Sequence, residues 1–119
     1  MIRKIKNKKV FGFFKGMQHD SPQDEIKLCV EDIKEYQNIE NVLSKETILN
    51  YLKNLPYFLA ISKKKAKDIF TKEVINNGDL GIIHDGDFMF PLDFIYYFEK
   101  YDVGIPPEYE NYLISKGIK

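Results

Sequence analysis

Apolar positions along this chain switch between helical and strand-like spacing. From Pro22 to Lys34 they fall at Ile26, Cys29, Val30 and Ile33, steps of three, one and three that share one helix face. Pro22 suits a first turn, and Asp24 and Glu25 favour the positive end of the helix dipole. Ser44 opens a second helix. It can cap the exposed N–H groups, Glu46 follows, and Ile48, Leu49, Leu52 and Leu55 make the apolar stripe. Pro56 limits that helix, because a residue before proline avoids the α region. Pro91 predicts the start of a third helix, apolar on most sides, which Gly104 ends. Pro106 and Pro107 open a fourth, with Tyr109, Tyr112 and Leu113 on its apolar side and Gly117 where a C-terminal cap glycine is expected.

Strand signals lie between these helices. Val10 to Phe14 is aromatic and β-branched, interrupted by Gly12. Tyr57 to Ile61 is too short for a typical helix and reads as a buried strand, and Asp68 to Ile75 as a further strand ahead of the turn cluster Asn76 to Asp79. The hairpin signal is strongest at Leu80 to Phe90. Ile82 and Ile83 precede Asp85-Gly86, a dipeptide suited to a type I′ turn, and alternation after it puts Phe88 and Phe90 on one face and Asp87 and Met89 on the other. Gln18 to Asp24 and the lysine-rich Ser62 to Lys67 read as connections. The elements predict one α+β domain over residues 1–119, a small, mostly antiparallel sheet with helices packed on one side.

Composition agrees with a packed domain: of 119 residues 44% are hydrophobic and 30% charged, which argues against long disorder. Eighteen basic and 18 acidic side chains give a formal net charge of zero, which disfavours a strongly basic nucleic-acid binder. Cys29 is the single cysteine, so neither an intrachain disulfide nor a cysteine cluster for zinc is available. The basic stretch Met1 to Lys9 is not followed by the apolar run of a signal peptide, and no stretch approaches a membrane span, so a cytoplasmic protein is expected.

Candidate chemistry is sparse. The dinucleotide, phosphate-loop, zinc-protease and nucleophile-elbow motifs are missing, and no cofactor is expected. His84-Asp85-Gly86-Asp87 is the densest polar cluster. It lacks EF-hand spacing and reads as a hairpin turn with solvated acids; a small metal-dependent hydrolase would use His84 with Asp85 or Asp87. Asp20, Asp24 and Glu25 are commonplace loop acids, and Lys63, Lys64, Lys65 and Lys67 read as a solvated connection.

Charge is distributed unevenly. Met1 to Gly16 holds six cations and no acid, whereas Asp79 to Tyr112 holds eight acids and only Lys100. Five of the tyrosines, Tyr96, Tyr97, Tyr101, Tyr109 and Tyr112, share this acidic part, where they suit either core edges or binding hot spots. An acidic, aromatic surface would complement a basic protein partner.

One resemblance rests on His84-Asp85-Gly86-Asp87-Phe88-Met89-Phe90-Pro91, then Tyr96-Tyr97, Tyr101 and Ile105-Pro106-Pro107-Glu108-Tyr109. This order resembles a pattern in small bacterial proteins: a DG turn, an aromatic-x-aromatic strand, a YY helix and an LP-x-E start to the last helix. Some of those proteins resemble immunity proteins encoded beside polymorphic or contact-dependent toxins. The likeness covers roughly the last 40 residues, with a weaker echo over Tyr51 to Asp68. The sequence departs from the pattern at Phe88 and Phe90, where tryptophan is frequent, and at Ile105, where leucine is usual. The resemblance implies a protein that binds and neutralises a cognate toxin, without catalytic residues. Together with the acidic half it suggests a nuclease toxin, with Asp85, Asp87, Asp93, Glu99 and Asp102 as candidate contacts. The alternative is a regulatory or adaptor module that binds another protein.

Overall fold

In the computed structural model, which describes residues 1–17, 30–59 and 64–119, five strands form one sheet in the order β1-β2-β5-β4-β3. The strands are β1 (Arg3–Ile5), β2 (Lys8–Val10), β3 (Phe58–Leu59), β4 (Gly81–Asp85) and β5 (Phe88–Pro91). The helices are α1 (Lys34–Gln37), α2 (Lys45–Lys53), α3 (Asp93–Lys100) and α4 (Pro107–Ser115). The fold is α+β. Three strand pairs are antiparallel, and β2 lies parallel to β5 with Val10 opposite Met89. That parallel pair joins segments nearly eighty residues apart, so no local turn signal announces it.

The predicted hairpin forms with one change of turn. Asp85 pairs with Phe88, so the two-residue loop is Gly86-Asp87, not Asp85-Gly86. Only Gly86 has a positive φ there, 59°, the first-position glycine of a type II′ turn. A Cβ on Gly86 would lie 2.6 Å from the Tyr112 hydroxyl oxygen, so glycine is required by space as well.

Alternation along β4 and β5 sorts the two faces. Ile83, Phe88 and Phe90 join the main core, to which Tyr36 of α1, Ile48 and Leu52 of α2, Phe94, Tyr97 and Phe98 of α3, and Tyr109 and Leu113 of α4 all contribute. All four helices therefore pack on one face of the sheet. Phe11 sits at the centre, its ring centroid 4.9 Å from Phe90 and 5.4 Å from Phe94. The opposite face holds a smaller cluster of Val10, Phe13 and Met89, flanked by Ile5 and Ile82.

Local signals explain the helix limits. Ser44 caps α2, its Oγ accepting from the Thr47 N–H at 3.1 Å. Pro91 ends β5 and helix α3 begins at Asp93, while Pro107 starts α4. Three strand expectations change. The stretch from Val10 divides: β2 ends at Val10, and Phe14 bridges Glu31 instead. Tyr57, Phe58 and Leu59 are exposed, so β3 is an outer edge strand, not a buried one. Between Asp68 and Ile75 there is only a bridge between Lys67 and Val74 around a turn. The helix expected from Pro22 lies largely outside the described residues, as do His19, Asp20, Asp24, Glu25, Cys29, Ile61 and Lys63; α1 begins only at Lys34. Among the described residues no helix is long and apolar enough to cross a membrane.

Candidate functional site

The hairpin strand β4 points His84 and Asp85 to opposite faces of the sheet. Asp85, 5% exposed, turns toward the helices and is not a solvated turn residue. Its Oδ2 accepts from the Tyr51 hydroxyl at 2.8 Å and the Tyr109 hydroxyl at 2.6 Å, and Tyr112 approaches Oδ1 at 3.4 Å. The Lys116 ammonium stands 3.6 Å from Oδ1 and donates to the Tyr51 oxygen at 2.8 Å. Burial and the Asp85 hydrogen bond push the Tyr109 hydroxyl well above its ordinary range, so it remains a donor. One carboxylate thus ties α2, α4 and the hairpin together.

A second aspartate repeats the arrangement beside α3. Asp68 is fully buried; Oδ2 accepts from Tyr96 at 2.6 Å and Tyr101 at 2.5 Å, and Oδ1 from the Phe70 and Thr71 N–H groups at 2.7 and 3.0 Å. Burial raises its pKa, but these four donors together outweigh that effect and hold the carboxyl at about 2. Near the N-terminus, Glu31 Oε1 accepts from Tyr36 at 2.7 Å and from the Gly12 N–H at 3.2 Å. Tyr97 donates to the Lys67 carbonyl and accepts from the Ile69 N–H. Among the described residues seven of the eight tyrosine hydroxyls are therefore engaged inside the chain, Tyr57 being the exception.

The acids expected as partner contacts do not share a face. Asp85 and Asp93 point inward and serve the fold. Asp93 is fully buried, its Oδ1 receiving one bond from Asn76 at 3.3 Å while Oδ2 has no partner. Burial lifts its pKa to about 6, against the opposing effect of Asn76. Glu99 is paired with Lys53 at 2.9 Å and Asp102 with Lys45 at 3.2 Å. Glu108 pairs with Lys9 at 3.1 Å, and buried Glu110 accepts from the Leu43 N–H. Of the eight acids between Asp79 and Tyr112, only Asp79 and Asp87 are exposed without a basic partner among the described residues.

The amino-terminal cations have the opposite fate. Arg3, Lys4 and Lys6 are exposed and form no ion pair among the described residues, while Lys8 donates to the Gly86 carbonyl at 3.1 Å. Register places Arg3 opposite Val10, Val10 opposite Met89 and Met89 opposite His84, so these four share a row on the face away from the helices. His84 lies exposed at one end of that row, and its pKa is lowered by partial burial and by Lys8. Its ring stands 6.0 Å from that of Phe58, which is 71% exposed on β3. Sequence reasoning missed this edge because it read Phe58 as core. Beside β3, a cavity of about 230 Å³ is walled by Leu52, Leu55, Tyr57, Leu92 and Ile95.

Among the described residues no three of His, Cys, Asp and Glu converge as a metal site. The chain matches no model of a known protein family, no curated protein and no solved structure.

Proposed function

We propose that this chain acts by binding another protein, as an immunity protein that neutralises a cognate bacterial toxin by covering a functional surface of it. The observation that carries the reading is the edge strand β3. Tyr57, Phe58 and Leu59 are 51%, 71% and 54% exposed in a chain whose other aromatic side chains are mostly buried or tied by hydrogen bonds. Among the described residues no strand pairs the outer edge of β3, and such an edge bearing apolar side chains is a template for another polypeptide, while the adjoining cavity suits an apolar anchor from it. The resemblance of the hairpin and last two helices to immunity-like proteins supplies the biological role. The nuclease expectation rested on a free acidic face; the acids of that part are mostly paired or buried, so the proposal names the toxin by its role and not by its chemistry.

The test is growth. The product of the neighbouring open reading frame is expressed alone, with this protein, and with its Phe58→Ser variant. Expected is arrest alone, rescue by the wild-type chain, and reduced rescue by the variant at equal abundance. A non-toxic neighbour that also fails to bind the purified chain would remove the reading.

A further inference from the structure

Folding changes which charges this molecule shows to the outside. Its acidic part finds lysines from other segments: Lys53 meets Glu99, Lys45 meets Asp102, Lys9 meets Glu108 and Lys116 meets Asp85. Among the described residues the β1–β2 hairpin receives no such compensation at Arg3, Lys4 and Lys6. Arg3 and Lys8 share the face of the sheet away from the helices, Lys4 lying on the other, and His84 and Phe58 continue that face toward β3. Asp87, exposed in the β4–β5 turn, adjoins it.

From this we infer that the β1–β2 hairpin and the β3 edge form one docking surface for an acidic protein on the face away from the helices, Phe58 supplying the apolar contact and Arg3, Lys6 and Lys8 the charge that selects the partner. The inference rests on the protein-binding reading above and names its partner's chemistry. Four strand spacings separate the two edges, about 19 Å, within the reach of one partner face of ordinary interface size. An apolar contact near one edge and cations toward the other suit a mixed protein interface, where charges steer encounter and reject like-charged competitors. A single-stranded nucleic acid is favoured less. Its recognition uses successive rings on which bases stack, and this face presents Phe58 and the His84 imidazole, whereas the open backbone edge of β3 suits a polypeptide.

The probe is a random glutamate–tyrosine copolymer, added to the isotope-labelled full chain and followed by amide chemical shifts. Expected are shifts over residues 3–8, 58–59 and 82–85, and weaker binding as salt rises. The double variant Arg3→Glu/Lys6→Glu should bind about tenfold more weakly, and its Gln counterpart should fall between. These side chains are exposed and form no ion pair among the described residues, so an unchanged spectrum elsewhere shows that the fold is retained. Three results overturn the inference: no binding at about millimolar copolymer, shifts confined to other surfaces, or tighter binding of an oligothymidylate of about 20 nucleotides. The growth assay separates its failure from that of the immunity reading. If the Arg3→Glu/Lys6→Glu variant still rescues as well as wild type while Phe58→Ser does not, the acidic partner is wrong and the toxin reading survives. If the copolymer binds as described but the neighbouring product is harmless, the docking surface stands and the toxin reading falls.

Discussion

The carboxyl-terminal part and the amino-terminal hairpin carry opposite charge in the sequence, and the fold treats them oppositely. In the first, most carboxylates find partners: Asp68 and Asp85 sit buried among tyrosine hydroxyls, and Glu99, Asp102 and Glu108 each meet a lysine at the surface. In the second, Arg3, Lys4 and Lys6 stay in solvent without such partners among the described residues. A segment's formal charge therefore says little about the field a partner meets, because tertiary pairing redistributes it. Acids close to tyrosines in the fold became structural; of the hairpin cations, Lys8 and Lys9 meet the Gly86 carbonyl and Glu108, while Arg3, Lys4 and Lys6 stay exposed.

The largest effect expected from breaking this contrast is at Asp85. Asp85→Ala strips the acceptor from Tyr51 and from buried Tyr109, and leaves the Tyr109 hydroxyl without its partner. A loss of about 3 kcal/mol in denaturant unfolding is expected, with Asp85→Asn costing about half of that. The matching change on the other side, Lys4→Ala, should alter stability by less than about 0.5 kcal/mol. Equal effects of the two substitutions would erase the distinction between a structural and a free charge.

The two buried aspartates that border α3 give the next effects, and with opposite pH dependence. Asp68 has a folded pKa of about 2, below its ordinary 3.8. Its contribution is fully present above about pH 4 and is lost as pH falls toward 2. Asp68→Asn should cost about 2 kcal/mol at neutral pH and flatten the acid limb of the stability profile. Asp93 has its pKa raised to about 6 by burial, so the folded state prefers the protonated acid. Between pH 4 and 6 the native state binds more protons than the unfolded one, and stability falls as pH rises. Asp93→Asn should therefore stabilise the chain at pH 7 by about 1 kcal/mol, a gain that fades below about pH 4. Thermal unfolding across pH 3 to 8 checks both signs.

What the sequence revealed follows the range of the interactions. The Ser44 cap, the stripe Ile48–Leu52, the hairpin Ile83 to Phe90 and the proline at the start of α4 are set within a few residues, and the structure has them. The burial of Asp85 depends on Tyr51 and Tyr109, 34 and 24 residues away, and a DG pair by itself reads as a wet turn. A signal was nevertheless present. Asp85 shares the pleat side of Ile83, so alternation alone aims it at the core. The parallel contact of β2 with β5 and the outward placement of β3 had no local signal, since an apolar pair such as Phe58-Leu59 looks the same on an edge as in a core. The pairing of two acidic candidates had no local signal either: the lysine partners of Glu99 and Asp102 come from α2, some fifty residues earlier.

The smallest stability effect is the most informative about function. The sheet has two outer strands. β1 is guarded by Arg3 and Lys4, charges that discourage unwanted strand pairing, whereas β3 carries Phe58 and Leu59 and has no charge of its own. Phe58 is 71% exposed, so Phe58→Ser removes little buried area and should shift stability by less than about 0.5 kcal/mol. Phe90, fully buried two strands further in, sets the contrast: Phe90→Ala should cost about 3 to 5 kcal/mol. A folded Phe58→Ser variant that loses partner binding while melting like wild type identifies the ring as interface. Destabilisation of Phe58→Ser comparable to that of Phe90→Ala would make β3 part of the core, and its exposed side chains would no longer mark a surface for binding.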